Sequence, residues 1–195
     1  TGEVAAAIAA GGWRDVPFSA AGTGGEAGDS GAAGDGEGDD GRIDPRTLSI
    51  RLHEILPAER LVAIDSGHFM GWPAMYIDVP DPHSFVFTQA FQSIGLGLAS
   101  AIGAAVARPD RLTVAALGDG GALMALGELE TVGRLGLPMM VVVYDDAAYG
   151  AEVHHFGPHG EPLDIVRFPE TDFAALGRAA GTDAVTVRHV DDLAA

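Results

Sequence analysis

Short uninterrupted apolar runs, at Leu61–Ile64, Leu112–Leu117, Met139–Tyr144 and Ala184–Val187, recur along the chain, and segments of helical character lie between them. A strand whose successive residues are all apolar has both faces buried, which is the condition of strands in a parallel sheet covered by helices above and below. A further short run, Ser84–Thr88, fits the same series. The intervening segments supply the covers. Thr47 to Leu56 places Leu48, Leu52, Ile55 and Leu56 on one helical face and ends at Pro57. Gly95 to Arg108 is a helix rich in small residues, suited to close packing on a sheet, and Ala122 to Leu135 is a third helix. Thr171-Asp172 caps a fourth that runs to Ala180 and stops at Gly181, and Val190 opens another. Residues 151–170 contain three prolines and no clear period, and read as a long loop. The expected architecture is α/β: a doubly wound parallel sheet with helices on both faces.

The start of the chain is of another kind. Thr1 to Gly12 is alanine-rich and stops at a glycine pair, which suggests a helix, the last of something upstream. Residues 13–46 form an acidic, Gly-rich linker. Between Ser19 and Gly41 alanine is the only apolar side chain and no basic residue occurs, so this stretch cannot bury enough surface to offset its ordering entropy and is expected to be largely disordered. Its Asp35-Gly36-Glu37-Gly38-Asp39-Asp40 run lacks the glycine and terminal glutamate of a calcium loop. Residues 47–195 are left as the α/β domain, truncated before a last strand.

Charge narrows the partners. The net charge is −17, and removing the six linker acids (Glu26, Asp29, Asp35, Glu37, Asp39, Asp40) still leaves −11, which disfavours nonspecific nucleic-acid binding. No cysteine occurs, so disulfides and thiolate metal sites are excluded. No apolar stretch approaches the roughly 20 residues of a membrane span. The sequence is therefore read as that of a soluble, cytoplasmic protein.

Between Gly118 and Gly150 the chemistry concentrates. Gly118-Asp119-Gly120 stands at the end of one run and Asp145-Asp146 at the end of the next, with Asp146 27 positions after Asp119. Consecutive parallel strands joined by a crossover helix end on the same sheet edge, so two acidic groups come side by side where open sheets bind ligands. Mg²⁺ takes hard oxygen ligands and bridges phosphates, and the amides that open a helix favour a diphosphate.

In order and spacing, Gly118-Asp119-Gly120, Glu128-Leu129-Glu130-Thr131, Leu137-Pro138 and Asp145-Asp146-Ala147-Ala148-Tyr149-Gly150 resemble the signature of thiamine-diphosphate-dependent enzymes of the acetolactate synthase and 2-oxo acid decarboxylase group. The resemblance covers about Arg46 to Ala195, the diphosphate-binding domain of such enzymes. It implies thiamine diphosphate and Mg²⁺ as cofactors, with Asp119, Asp146 and the Ala148 carbonyl on the metal, and Gly118, Gly120, Gly121 and Tyr149 at the cofactor. It implies further that Ser66, Gly67 and His68 are outer diphosphate contacts, that Ile94 props the cofactor in its bent shape, and that the Gln92 carbonyl accepts from the aminopyrimidine. Core packing for Ile94 and an ordinary surface turn for His68 are the competing readings. Where the family has an Asn pair this chain has Asp145 and Asp146, a second carboxylate that binds an ion more tightly if it ligates and repels phosphate if it does not. Glu152 stands where pyruvate-decarboxylase-like members carry a general acid/base and acetolactate synthases an apolar residue; a solvent-facing helix residue is the alternative. His154, His155 and His159 are either further proton carriers and substrate contacts or a histidine-rich loop tip.

The activity so implied is that of a lyase or transferase: decarboxylation of a 2-oxo acid followed by acetolactate-synthase-like carboligation, or non-oxidative decarboxylation alone. The glutamate that activates the cofactor in this family belongs to a pyrimidine-binding domain with no counterpart here. That domain, in another chain or an earlier part of the same one, is the expected partner within a homo-dimer or tetramer, and this chain by itself is expected to be inactive. Two readings from other classes compete. A degenerate, non-catalytic scaffold or regulatory domain fits the missing glutamate, and Gly95-x-Gly97-x-x-Ser100 imitates a dinucleotide fingerprint without its last glycine or a strand running directly into it.

Overall fold

A computed structural model of the chain describes residues 5–10, 43–88, 91 and 93–194. Most of the expected linker, with Trp13 to Phe18, and Gln92 lie outside the described residues. Six strands form one sheet: β1 (Ala5–Ala10), β2 (Arg60–Ile64), β3 (Phe85–Phe87), β4 (Leu112–Gly118), β5 (Met139–Asp145) and β6 (Asp183–Val187). Their order is β3-β2-β4-β5-β1-β6 and every neighbouring pair is parallel. The helices are α1 (Pro45–Ile55), α2 (Gly71–Tyr76), α3 (Leu96–Ala107), α4 (Asp119–Met124), α5 (Glu128–Leu135), α6 (Gly150–Phe156) and α7 (Phe173–Ala179).

The period-2 geometry of the strands divides the apolar runs between two cores. On one face Leu61, Ala63, Ala115, Leu117, Val141 and Val143 pack with Leu98 and Ala101 of α3, Val132 of α5 and Phe173 of α7. On the other, Val62, Ile64, Val114, Ala116, Val142 and Tyr144 meet Leu48 and Leu52 of α1, Phe69 and Ile77. The runs read continuously in sequence because both sets of alternating side chains are covered. The doubly wound α/β architecture is thus the one expected. Asp44 caps α1, its carboxylate accepting from Thr47 N at 2.8 Å, with Pro45 as the first helical residue.

Three local expectations are corrected. Residues 5–10 are a strand inserted between β5 and β6, not a helix. Six residues of high helix propensity gain little as an isolated helix, because nucleation is unfavourable at that length, whereas the slot between two parallel strands offers hydrogen bonds on both edges. The single helix expected over 122–135 is two, α4 and α5, separated at Ala125 to Gly127. The long loop expected over 151–170 begins with α6 and a 3-10 turn, Gly157–His159.

The chain leaves β2 toward β3 on one side and returns to β4 on the other. The strand order therefore reverses between β2 and β4, and at such a point a crevice opens beyond the carboxyl ends of the strands.

Candidate functional site

At that crevice the ends of β2, β4 and β5 surround a cleft of about 360 Å³. It is lined by Ser66, Gly67 and His68 after β2, by Ile94 before α3, by Gly118, Asp119, Gly120 and Gly121 after β4, and by Asp146, Ala148, Tyr149 and Glu152 after β5. The residues expected at the metal, at the cofactor and at proton transfer by Glu152 thus line one cleft, except Gln92, which lies outside the described residues; Asp145, His154, His155 and His159 do not line it.

Asp119 opens α4 and is 2 % exposed. Its carboxylate accepts from Gly120 N (2.8 Å) and, across the sheet edge, from Ala148 N (3.2 Å). Asp145 ends β5 and Asp146, 1 % exposed, follows it. Burial, and then the charges of Asp146 and Asp145, push the Asp119 carboxyl up to about 8. The Asp145 carboxylate accepts from Ala147 N at 3.0 Å, folding the turn on itself. Ala147 sits at φ 53, a left-handed conformation rare for a residue with a Cβ.

This turn is pinned from outside. Ala148 and Arg167 form an isolated antiparallel bridge, Tyr149 N donates to Val166 O (2.8 Å) and Phe168 N to Ala147 O (3.0 Å). The Tyr149 ring meets Phe168 edge-on, with centroids 5.3 Å apart. Gly120 is required by that ring, since a Cβ there would overlap it. A Cβ on Gly118 would press on Phe69 at 3.1 Å, and Phe69 in turn stacks on Tyr144, whose hydroxyl shares a 2.9 Å hydrogen bond with Ser49 of α1. The floor of the cleft is therefore continuous with the core.

Asp65, directly after β2, is a residue that the sequence analysis did not single out. Fully buried, it accepts from Ser66 N and from Gly95 N, both at 2.8 Å, and also from the Gly97 backbone. A Cβ on Gly97 or Gly121 would collide with it. One carboxylate thus sets the loop carrying Ser66 to His68, the turn carrying Ile94 at Gly95 (φ 93), and the approach of α4. Desolvation raises its pKa, opposed by those backbone bonds.

The donor set suits a hard divalent cation. Two buried carboxylates face one cleft beside a backbone turn, the like-charge strain on Asp119 is what a cation relieves, and the flanking glycines leave the backbone bare. Among the described residues no three His, Cys, Asp or Glu side chains form a group that could hold a metal ion. No described helix is long and apolar enough to cross a membrane.

Fold and cleft together define a doubly wound α/β domain with an acidic, glycine-walled site at its switch point. Residues 65–195 match the family model described as thiamine pyrophosphate enzyme, C-terminal TPP binding domain, and the chain belongs to that family. It is 28 % identical over 152 residues to sulfoacetaldehyde acetyltransferase of Alcaligenes xylosoxydans xylosoxydans, covering 77 % of this chain and 25 % of that protein. It is 36 % identical over 100 residues to acetolactate synthase isozyme 2 large subunit of Escherichia coli (strain K12), covering 51 % of this chain and 18 % of the relative. The solved structure of the thiamine diphosphate-dependent 4-hydroxybenzoylformate decarboxylase of Rhodococcus jostii RHA1 superposes with a TM-score of 0.72 at 22 % identity, over 87 % of this chain and 31 % of that one; it shares the fold. The chain thus spans a quarter or less of the length of these two relatives.

Proposed function

We propose that this chain is the Mg²⁺ and diphosphate-binding part of a thiamine-diphosphate-dependent enzyme acting on 2-oxo acids, with carboligation after decarboxylation as in acetolactate synthases. The observation that carries the reading is the pair Asp119 and Asp146, buried at the ends of adjacent parallel strands on one glycine-walled cleft.

Each residue has a definite task there. Asp119 and Asp146 give carboxylate oxygens to the ion and the Ala148 carbonyl completes the protein's share, so the second aspartate ligates and does not repel. Gly118, Gly120 and Gly121 let the backbone approach the diphosphate, the opening amides of α4 receive part of its charge, and Ser66, Gly67 and His68 close the far side. Ile94 supports the ligand from beneath, with Gln92 before it, and the Tyr149 ring walls the metal turn. Bound thiamine diphosphate supplies the carbanion chemistry that removes carbon dioxide from a 2-oxo acid. The rest of that site comes from a pyrimidine-binding domain, in a second chain or in another part of this protein, within a dimer or tetramer. Residues 47–195 act as the diphosphate domain, joined across the acidic linker by β1, which lies between β5 and β6 of the same sheet, and the reaction takes place in the cytoplasm.

Non-oxidative decarboxylation is the second reading, and Glu152 favours it. Its side chain, half-buried in the first turn of α6, lines the cleft, where a carboxyl is placed to deliver or remove a proton. A carboligase without proton transfer at this point has no use for it.

Calorimetric titration of Mg²⁺ and thiamine diphosphate into the chain tests the main reading. Metal-dependent binding is expected, and NAD binding without it would overturn the proposal. A Glu152→Gln substitution in the complete enzyme separates the two outcomes: kcat for decarboxylation falls about 100-fold or more if Glu152 moves the proton, and carboligation is nearly unchanged if it does not.

A further inference from the structure

His68 lines the cleft and His154, on a different element, does not. His68 stands at the start of the 3-10 turn His68–Met70, after β2, and lines the cleft. His154 is on α6, two residues beyond Glu152. Their rings lie face to face, with centroids 4.3 Å apart and planes inclined by 24°. Nε2 of His154 is buried and makes no hydrogen bond, so this nitrogen gives the ring no anchor and the aromatic face is the contact it offers to His68. His155, the next residue, turns elsewhere and packs against Phe156 and His159.

We propose that His154 is a positioning residue: by stacking on His68 it holds that imidazole at the cleft wall, toward the diphosphate of the bound ligand, and so ties α6 and its Glu152 to the occupancy of the diphosphate site. This rests on the proposed function. A surface imidazole after a glycine samples several rotamers, and ligand binding must fix one of them at an entropic cost. A ring already clamped from behind loses less. The coupling also runs the other way: a ligand that holds His68 holds the stack, and with it the helix that presents Glu152 to the reacting end of the cleft.

The test uses His154→Leu, which keeps bulk without a ring, and His154→Phe, which keeps a ring without its nitrogens, with His155→Leu as control. Thiamine diphosphate and inorganic diphosphate, each with Mg²⁺, are titrated into the 195-residue chain by calorimetry. The His68 ring protons are followed by NMR in the ligand-free protein. Loss of the stack should weaken both ligands about 3- to 10-fold in His154→Leu, the range an aromatic pair contributes. His154→Phe should stay within about 2-fold of wild type by the same arithmetic, and His155→Leu should match wild type. The His68 ring signals should move downfield in His154→Leu as the shielding by its neighbour is lost. Unchanged affinity in His154→Leu with a binding-competent wild type, or equal losses in the Leu and Phe variants, overturns the role of His154 alone. Unmoved His68 signals overturn the stack itself. A wild-type chain that binds neither ligand overturns the proposed function, and this role with it.

Discussion

Two of the buried aspartates at the end of this sheet, Asp119 and Asp65, do different work. Asp119 is destabilised by its surroundings, held out of water and beside two further acids, and its pKa of about 8 expresses that strain. The sign of its effect on stability follows. The folded chain keeps a proton on Asp119 where the unfolded chain has released it, so this group favours folding fully below about pH 4 and the advantage is lost as pH rises through about 8. Asp65, also raised, acts in the same direction. The metal-free protein should therefore melt at progressively lower temperature from about pH 4 to pH 8, and Asp119→Asn should flatten the profile, as read by calorimetric melting across that range. Asp65, by contrast, is satisfied by backbone donors. Asp65→Ala leaves those N–H groups buried and unpaired and should cost about 3 kcal/mol or more in urea unfolding, with Asp65→Asn milder.

At the level of elements, the turn after β5 is held by strain and pinned by contact. Ala147 at φ 53 costs what a Cβ costs in the left-handed region, so Ala147→Gly should stabilise the fold by about 0.5–1 kcal/mol, measured by denaturant titration. The sheet itself depends on β1 for closure, because β1 is the strand that hydrogen-bonds β6. Removing residues 1–12 should leave β5 with an open edge, and amide exchange should accelerate in β6 and along 140–145 while β2 and β4 stay protected. The sequence announced five of the six strands, since continuous apolar runs can hardly mean anything but double-sided burial. It concealed β1, where local propensity favours helix and a tertiary slot decides. It concealed α6 as well: a histidine-rich segment between a glycine and a proline has no amphipathic stripe, and its start is fixed by contacts with Val166 and Phe168 that only folding brings near. The cleft was legible because its residues sit at strand ends in a fixed order. The strut at Asp65 and the His68–His154 stack were not, because both depend on the distance between loops that sequence spacing does not give.

Over the whole molecule, these parts amount to one rigid platform with a site on its rim. The two cores hold the strands in register, the register sets Asp119 beside the turn of Asp146, and the glycines keep that neighbourhood open on one side. The matched part covers 25 % of one relative's length and 18 % of another's. The measurement that bears most directly on this account is calorimetric binding of thiamine diphosphate, with and without Mg²⁺, to the wild-type chain, Asp119→Asn and Asp146→Ala. The account predicts binding by the wild type that requires the metal and is weakened about 100-fold or more by either substitution, as loss of a charged ligand to the ion implies. Metal-independent binding, or variants that bind as well as the wild type, would contradict it.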